Sequence, residues 1–407
     1  MWQQGQTNRT FNSTRRSLRL CGKVPHGDHI LTYRKSDGSS VVLSGLMRCQ
    51  SASACVVCSA RIAKGRGEWL STVFNRAKEN GENISMITLT VRHKKGNDLK
   101  HLLEAMEQAY RNVQGTQAYK DLRRKYNAKF VRVTEVTHGR NGYHPHFHIA
   151  VIHDPTIVIS TLRKEIQDTW CRWVENNGLL APEPEIGVDI VDNATNEQRA
   201  WYLTKSNGLS SLEVTNGKYK VAKGENMSIW GIHALAVAGD SKSGQIWREY
   251  EQAMYKKRIF VISRGMQEEY GVYMKSDADL AKDEFALDLP EIADNLHYLE
   301  ADAQPTLIFV GAINKETWRR IKQLKLQNDF REAVRNDLLD EFLDEYHLQR
   351  SYKYDDIRVR HELKAEILAG MHAAMDNYEP AEFDKLNQAY ELGELLPLLD
   401  KTLNGAF

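Results

Sequence analysis

Asn141-Gly142-Tyr143-His144-Pro145-His146-Phe147-His148-Ile149-Ala150-Val151 is the stretch from which the rest of the chain can be read. Asn-Gly favours a tight hairpin turn, and the alternation behind it sends His146 and His148 to one face of a strand and Phe147, Ile149 and Val151 to the other. Side chains two apart on a strand stand roughly 6–7 Å apart at Cα, so two imidazoles can converge on one divalent cation without any loop rearrangement. Two ligands do not hold an ion alone. The preceding strand, Lys129 to Thr137, is β-branched and alternating, and its one acid, Glu135, lies where a hairpin partner of His146 or His148 belongs. Glu135 is therefore the expected third ligand. His144 shares the parity of the pair but sits beside the turn and next to Pro145, which makes it a support behind the ligands or an alternative ligand.

A length of 407 residues implies two or three domains, because single cores stop growing near about 250–300 residues. With 42% apolar and 27% charged residues the composition is that of an ordinary soluble globular protein. No apolar run approaches the ~20 residues of a membrane span, and the polar, arginine-rich start is unlike a signal peptide. The expected setting is the cytoplasm, with no membrane partner. The net charge of +1 hides a polarity along the chain. Residues 1–66 carry 11 Lys/Arg against 2 Asp/Glu, and residues 281–407 carry 15 against 26. Such a basic leading arm is an electrostatic footprint for nucleic acid, with Arg15, Arg16, Arg19, Arg48 and Arg61 as candidate DNA contacts. The acidic end is expected to face away from a phosphate backbone.

Residues 1–20 lack periodicity and are expected to be disordered or to order only on a partner. Four of the five cysteines, Cys21, Cys49, Cys55 and Cys58, fall within 38 residues. A cytosolic thiol cluster with a CxxC knuckle reads as tetrahedral Zn2+ rather than as disulfides. His26 or His29 could replace Cys21 as the fourth ligand. Cys171 reads as a plain buried thiol. Between the cysteines, Ile30 to Leu43 is turn-rich and strand-like. Helical periodicity runs from Ser59 to about Asn80, followed by an alternating strand from Ile84 to His93 and two helices between Asp98 and Tyr126, split near Gly115. After the Glu135 and histidine strands come a helix over about 156–176 and a strand over 185–191. This is the rhythm of a split βαβ, ferredoxin-like antiparallel sheet with helices on one face, in an α+β chain. A helix over about 195–208 carries Tyr202 and Lys205 on one face, and helices around Leu235 and Gly244–Glu251 follow. The compositional domains are thus 1–66, a basic arm with the zinc segment; 67–285, the sheet with its extension; and 286–407, acidic and mostly helical, with an apolar run over 306–310 that could form a strand.

Several of these motifs together resemble the rolling-circle plasmid replication initiators of the HUH endonuclease superfamily. They are His-Pro-His-Phe-His-Ile behind Asn141-Gly142-Tyr143, the upstream Ile87-Thr88-Leu89-Thr90, and the knuckle from Arg48-Cys49 to Cys55-Val56-Val57-Cys58-Ser59-Ala60-Arg61-Ile62. Downstream come Tyr202-Leu203-Thr204-Lys205, Trp247-Arg248-Glu249-Tyr250-Glu251 and Phe260-Val261-Ile262-Ser263-Arg264-Gly265. The likeness runs from about Cys21 to Lys282. It implies an HUH nicking core that cuts the double-strand origin of a plasmid through a phosphotyrosine intermediate. On that reading Tyr202 is the nucleophile, His146 and His148 hold Mg2+ or Mn2+, Lys205 binds phosphate or metal-bound water, and a host helicase is a partner. One feature departs from part of the family, where a carboxylate one helical turn before the tyrosine activates water. Here Gln198 stands four before Tyr202, and Glu197, five before, lies about 140° away around a helix. The alternatives are an HUH transposase or conjugative relaxase, and a non-catalytic, zinc-stabilised DNA-binding regulator with structural histidines.

Overall fold

The computed structural model describes residues 13–35, 38, 41–183, 186–193, 226–282 and 307–351. Packing divides the chain into two units: Met1–Cys21 with Arg48–Leu299, and Gly22–Met47 with Glu300–Phe407. The chain therefore leaves the first unit between Cys21 and Arg48 to contribute to the second, a division that composition does not follow.

In the first unit, helices α1 (Arg16–Leu20) and α2 (Val56–Glu79) precede strand β3 (Asn83–Thr90), helices α3 (Leu99–Gln114) and α4 (Gln117–Lys125), and the long hairpin β4 (Lys129–Gly139) and β5 (Gly142–His153). Helix α5 (Arg163–Asn176), strand β6 (Val188–Val191) and the short strand β7 (Met227–Ser228) follow. Helices α6 (Ile229–Val237) and α7 (Ser241–Ala253), strand β8 (Phe260–Ile262), and helices α8 (Met266–Tyr270) and α9 (Asp277–Lys282) are the remaining elements among its described residues. The strands run β6-β3-β5-β4-β7, with β8 also pairing to β4, and every pairing is antiparallel. With β3, β4, β5 and β6 as the four strands of the split βαβ, this is the ferredoxin-like order. The turn sits at Arg140-Asn141, and Gly142 supplies the positive φ of 88° that its tight return needs.

Local signals explain the helix starts. Asp98, Thr116, Ser228 and Asp240 each accept the backbone N–H three residues on and so cap α3, α4, α6 and α7. The odd-numbered face of the central strands buries Phe147, Ile149, Val151, Ile87 and Leu89 under α3 and α5 through Met106, Tyr110 and Trp170. The expectation of helices on one face needs correction, because α2 covers the other: Trp69, Leu70, Val73 and Phe74 pack on Val131, Val133, Ala150 and Ile152. Periodicity gave α2 its apolar stripe but not its address, since a helix stripe does not say which sheet face it covers. Two further expectations shift. Residues 16–20 form α1, held by fully buried Leu18, instead of waiting for a partner, and the strand expected over 185–191 is regular only from Val188.

The second unit has β1 (His29–Lys35) at its centre, paired antiparallel with β2 (Val41–Leu43) and with β9 (Leu307–Asn314). Helices α10 (Lys315–Gln323), α11 (Gln327–Arg335) and α12 (Leu339–Glu345) follow β9 directly. Their apolar stripes, led by Trp318, Phe330 and Phe342, close a core with Ile30, Leu43, Val310 and Ile313. All three helices end alike, with a non-glycine residue at positive φ (Lys325, Asp337, His347) followed by a leucine whose N–H returns to the carbonyl five residues back. That bond is the long one of a Schellman cap, and it satisfies a carbonyl the helix leaves free.

Candidate metal centres

Two groups of side chains among the described residues bring ligand atoms together, and both lie in the first unit. In the first, the hairpin register sets Glu135 directly opposite His146 and Val133 opposite His148, so the carboxylate stands across from one imidazole and diagonal to the next. Glu135 Oε2 lies 2.6 Å from His146 Nε2 and 2.7 Å from His148 Nε2. Two imidazoles and a carboxylate thus aim one atom each at a common point, the arrangement that Glu135 was expected to complete.

The rings are held from behind. His148 Nδ1 lies 3.2 Å from the Thr88 hydroxyl and His146 Nδ1 lies 3.3 Å from the His144 carbonyl, so each ring has an acceptor for an Nδ1 proton and turns its Nε2 toward Glu135. This donor set fits a divalent ion that takes nitrogen and oxygen ligands. Thr88 was missed in the sequence because its role comes from a long-range pairing: it occupies the β3 position that registers with His148. His144 does not join the convergent atoms. Its Nδ1 is 3.3 Å from His93 Nδ1, on a ring half-buried beside the pair, and burial lowers the pKa of His93. Glu135 also lines a cavity of about 70 Å³ that reaches Ser59, Arg66, Trp230 and Tyr250.

The second group is the cysteine cluster. Cys21 follows α1, Cys49 lies in the loop, Cys55 caps α2 and Cys58 sits in its first turn. Sγ of Cys21 is 3.5 Å from those of Cys55 and Cys58, and Cys49 Sγ is 3.7 Å from Cys58 Sγ. A tetrahedron of sulfurs around zinc at Zn–S of about 2.3 Å has edges of about 3.8 Å, so the four thiols fit such an ion. The Cys49 N–H donates to Cys21 Sγ at 3.4 Å, as suits a thiolate. Cys21 thus takes the place for which His26 and His29 were rivals, and His29 Nδ1 instead lies 2.9 Å from the Ser351 hydroxyl. The loop is braced from α7, where the Tyr250 hydroxyl donates to the Ser53 carbonyl at 3.2 Å. Cys171 is half-buried and stands apart from the cluster.

The arginines divide. Arg16 and Arg19 are exposed on α1, Arg15 lies with its guanidinium 4.5 Å from the Tyr255 ring centre, and Arg48 is half-buried. Arg61 is a correction: at 1% exposure, with Nη1 donating to the Ala281 carbonyl, it ties α2 to α9 and offers no surface to a phosphate. Tyr202 and Lys205, with Glu197 and Gln198, lie outside the described residues.

Residues 41–305, which contain the histidine strand, Glu135 and three of the four cysteines, match the family model described as "Replication protein". The chain belongs to the replication protein family. A curated relative, "Protein rep" of Streptomyces lividans, is 24% identical over 311 residues, which cover 60% of this chain and 68% of that protein. No solved structure matches. The resemblance to Rep initiators is thereby borne out, and among the described residues no helix is long and apolar enough to cross a membrane.

Proposed function

We propose that this Rep protein starts rolling-circle replication of a plasmid by nicking its double-strand origin. The observation that carries the reading is the convergence of Glu135, His146 and His148 on one point of the central hairpin, in a chain of the replication protein family. On this reading the three residues hold Mg2+ or Mn2+, which when bound draws charge from a nonbridging phosphate oxygen and stabilises the transition state.

Tyr202 supplies the nucleophile. Its phenol oxygen attacks phosphorus and the Tyr–O–P bond forms as the P–O3′ bond breaks; the phenol proton passes to solvent, the leaving 3′ oxygen takes up a proton from solvent, and the resulting 3′-OH primes synthesis. A phenol with a pKa near 10 needs a nearby cation or base for this, and Lys205, three residues on in the sequence, helps hold the phosphate. Two other tyrosines near the site are poorly suited. Tyr250 shares the cavity with Glu135, but burial pushes its phenol pKa up and its hydroxyl donates a hydrogen bond to the Ser53 carbonyl. Tyr143 is pushed up by burial and by Glu249, and its hydroxyl donates to the Ile246 carbonyl. The cysteine cluster holds structural Zn2+ and fixes the start of α2.

The expected outcome for Tyr202→Phe is loss of the covalent protein–DNA adduct with a single-stranded origin oligonucleotide and Mn2+, while origin binding stays near the unmodified level. Equal loss of both would remove Tyr202 from the nucleophile's role. Absence of any adduct in the unmodified protein would favour a zinc-stabilised DNA-binding regulator.

A further inference from the structure

We infer that α10 of the second unit is a contact surface for double-stranded DNA, made by Arg320, Lys322 and Lys325. The family reading supplies only the reason to expect a duplex near this protein; the nicking chemistry is not used.

The helix has one committed face. Thr317, Trp318 and Ile321 are buried, and Trp318 Nε1 donates to the Lys23 carbonyl at 3.1 Å. The opposite face, with Arg319, Arg320, Gln323 and Leu324, is exposed, with half-buried Lys322 on its flank and exposed Lys325 just beyond the end. Between 315 and 325 the sequence carries five Lys/Arg and one Asp/Glu. Two of the five cations are engaged: Lys315 bonds Asp28 at 2.6 Å and Arg319 pairs with Glu316 at 3.2 Å. Among the described residues, no carboxylate lies within ion-pair distance of Arg320, Lys322 or Lys325.

Helix α12 of the same unit is the reverse. Asp340, Glu341, Asp344 and Glu345 are exposed, and the helix has no Lys or Arg. A surface that only needs to be soluble intersperses the two signs, because like charges crowded on one helix repel. A small unit that gathers cations on one helix and anions on another is shaped to turn one side toward a polyanion. The acidic average of residues 281–407 concealed this, so the expectation that the whole end faces away from phosphate does not hold for α10.

The occupant follows from what the face lacks. Surfaces for single strands interleave aromatic rings with cations to stack bases, and the one aromatic of α10, Trp318, is buried. A membrane-surface helix must offer its apolar face, and here that face forms the core. What remains is cations and an amide on a rod about 14 Å long, suited to the phosphates flanking a groove about 12 Å wide, with Gln323 placed to reach base edges.

The test uses the full chain and a fluorescently labelled duplex of about 30 base pairs and mixed sequence, titrated over a salt series. The triple variant Arg320→Ala, Lys322→Ala, Lys325→Ala is expected to raise Kd at least tenfold and to lower the slope of log K against log salt by about 2.7, at about 0.9 per phosphate contact. The charge-keeping variant Arg320→Lys, Lys322→Arg, Lys325→Arg is expected to bind within about threefold of the original, and so separates lost charge from lost folding. A photoreactive phenylalanine analogue at Gln323 is expected to crosslink to the duplex. Unchanged affinity and slope in the triple variant, or no crosslink from 323, would overturn the assignment. Adduct formation on a single-stranded oligonucleotide is expected to be unchanged in the triple variant, so failure of the nicking reading would show there and leave the duplex result independent.

Discussion

Removing the ion expected at the four cysteines tests how much of the first unit depends on it. The cluster joins three segments, the end of α1, the loop at Cys49 and the first turn of α2, which also pack into one apolar core through Leu18, Ala54 and Ile62. Structural zinc at such a site has an apparent binding free energy of about 10–16 kcal/mol, as large as the ~5–15 kcal/mol that stabilises a whole domain. The loss should stay local, because the second half of α2 is held independently by Trp69, Leu70, Val73 and Phe74 on the sheet. Thiol modification of the native protein, with released metal read by a chromogenic chelator, should give one zinc per chain. Hydrogen exchange on the same sample should show lost protection over 16–21 and 49–62 and retained protection over 69–77 and 84–90. Cys58→Ser should reproduce the effect, and Cys171→Ser should not. Far less than one zinc per chain, or unchanged protection once all four thiols are blocked, would refute the reasoning.

Thr88→Val keeps the strand but removes the acceptor behind His148, and should weaken Mn2+ binding at the Glu135 site about 10- to 100-fold, as read by calorimetry, with little change in melting temperature. Burial raises the pKa of Glu251 above its ordinary value of about 4.3, against the opposing pull of the Ser13 hydroxyl and Arg15. The folded state then binds more protons than the unfolded one between those two values, so this residue's contribution is full below the ordinary pKa and is lost as pH rises through the raised one. Urea midpoints of the native protein should accordingly fall relative to Glu251→Gln as pH rises above the ordinary carboxylate value of about 4.3, and parallel profiles would contradict this. His347→Gly relieves a positive-φ residue at the end of α12; with about 1–2 kcal/mol of strain removed and about 0.5–1 kcal/mol of chain entropy added, a stabilisation of about 0.5 kcal/mol should appear in the denaturation of the second unit.

The parts of the fold that were legible are those set by short-range pattern. Alternation around Asn141-Gly142 put Glu135 on the face of His146 and His148 but left its partner open between them, and the turn at Arg140-Asn141 settles the register on His146. The cysteine spacing announced an ion but left Cys21 open, because its strength comes from three-dimensional closure. The pairing of β1 with β9 joins residues nearly 280 apart and leaves no local trace, so the apolar run near 306 read only as a possible strand. The charge of α10 was averaged away in a window of acidic residues. Thr88 lay in plain view, but its role depends on which strand sits beside β5, and that order is a property of the assembled sheet.

The interleaving of the two units has a consequence for synthesis. Once about the first sixty residues have emerged from the ribosome, the cysteines can close around their ion and pin both ends of the segment holding β1 and β2. The outer edge of β1 then has no neighbour until β9 is made, some 250 residues later, which at about 5–20 residues per second is a wait of roughly 12 to 50 seconds. Through that interval a nascent Rep chain displays an open strand edge, and crowded polysomes are where a second copy would find it.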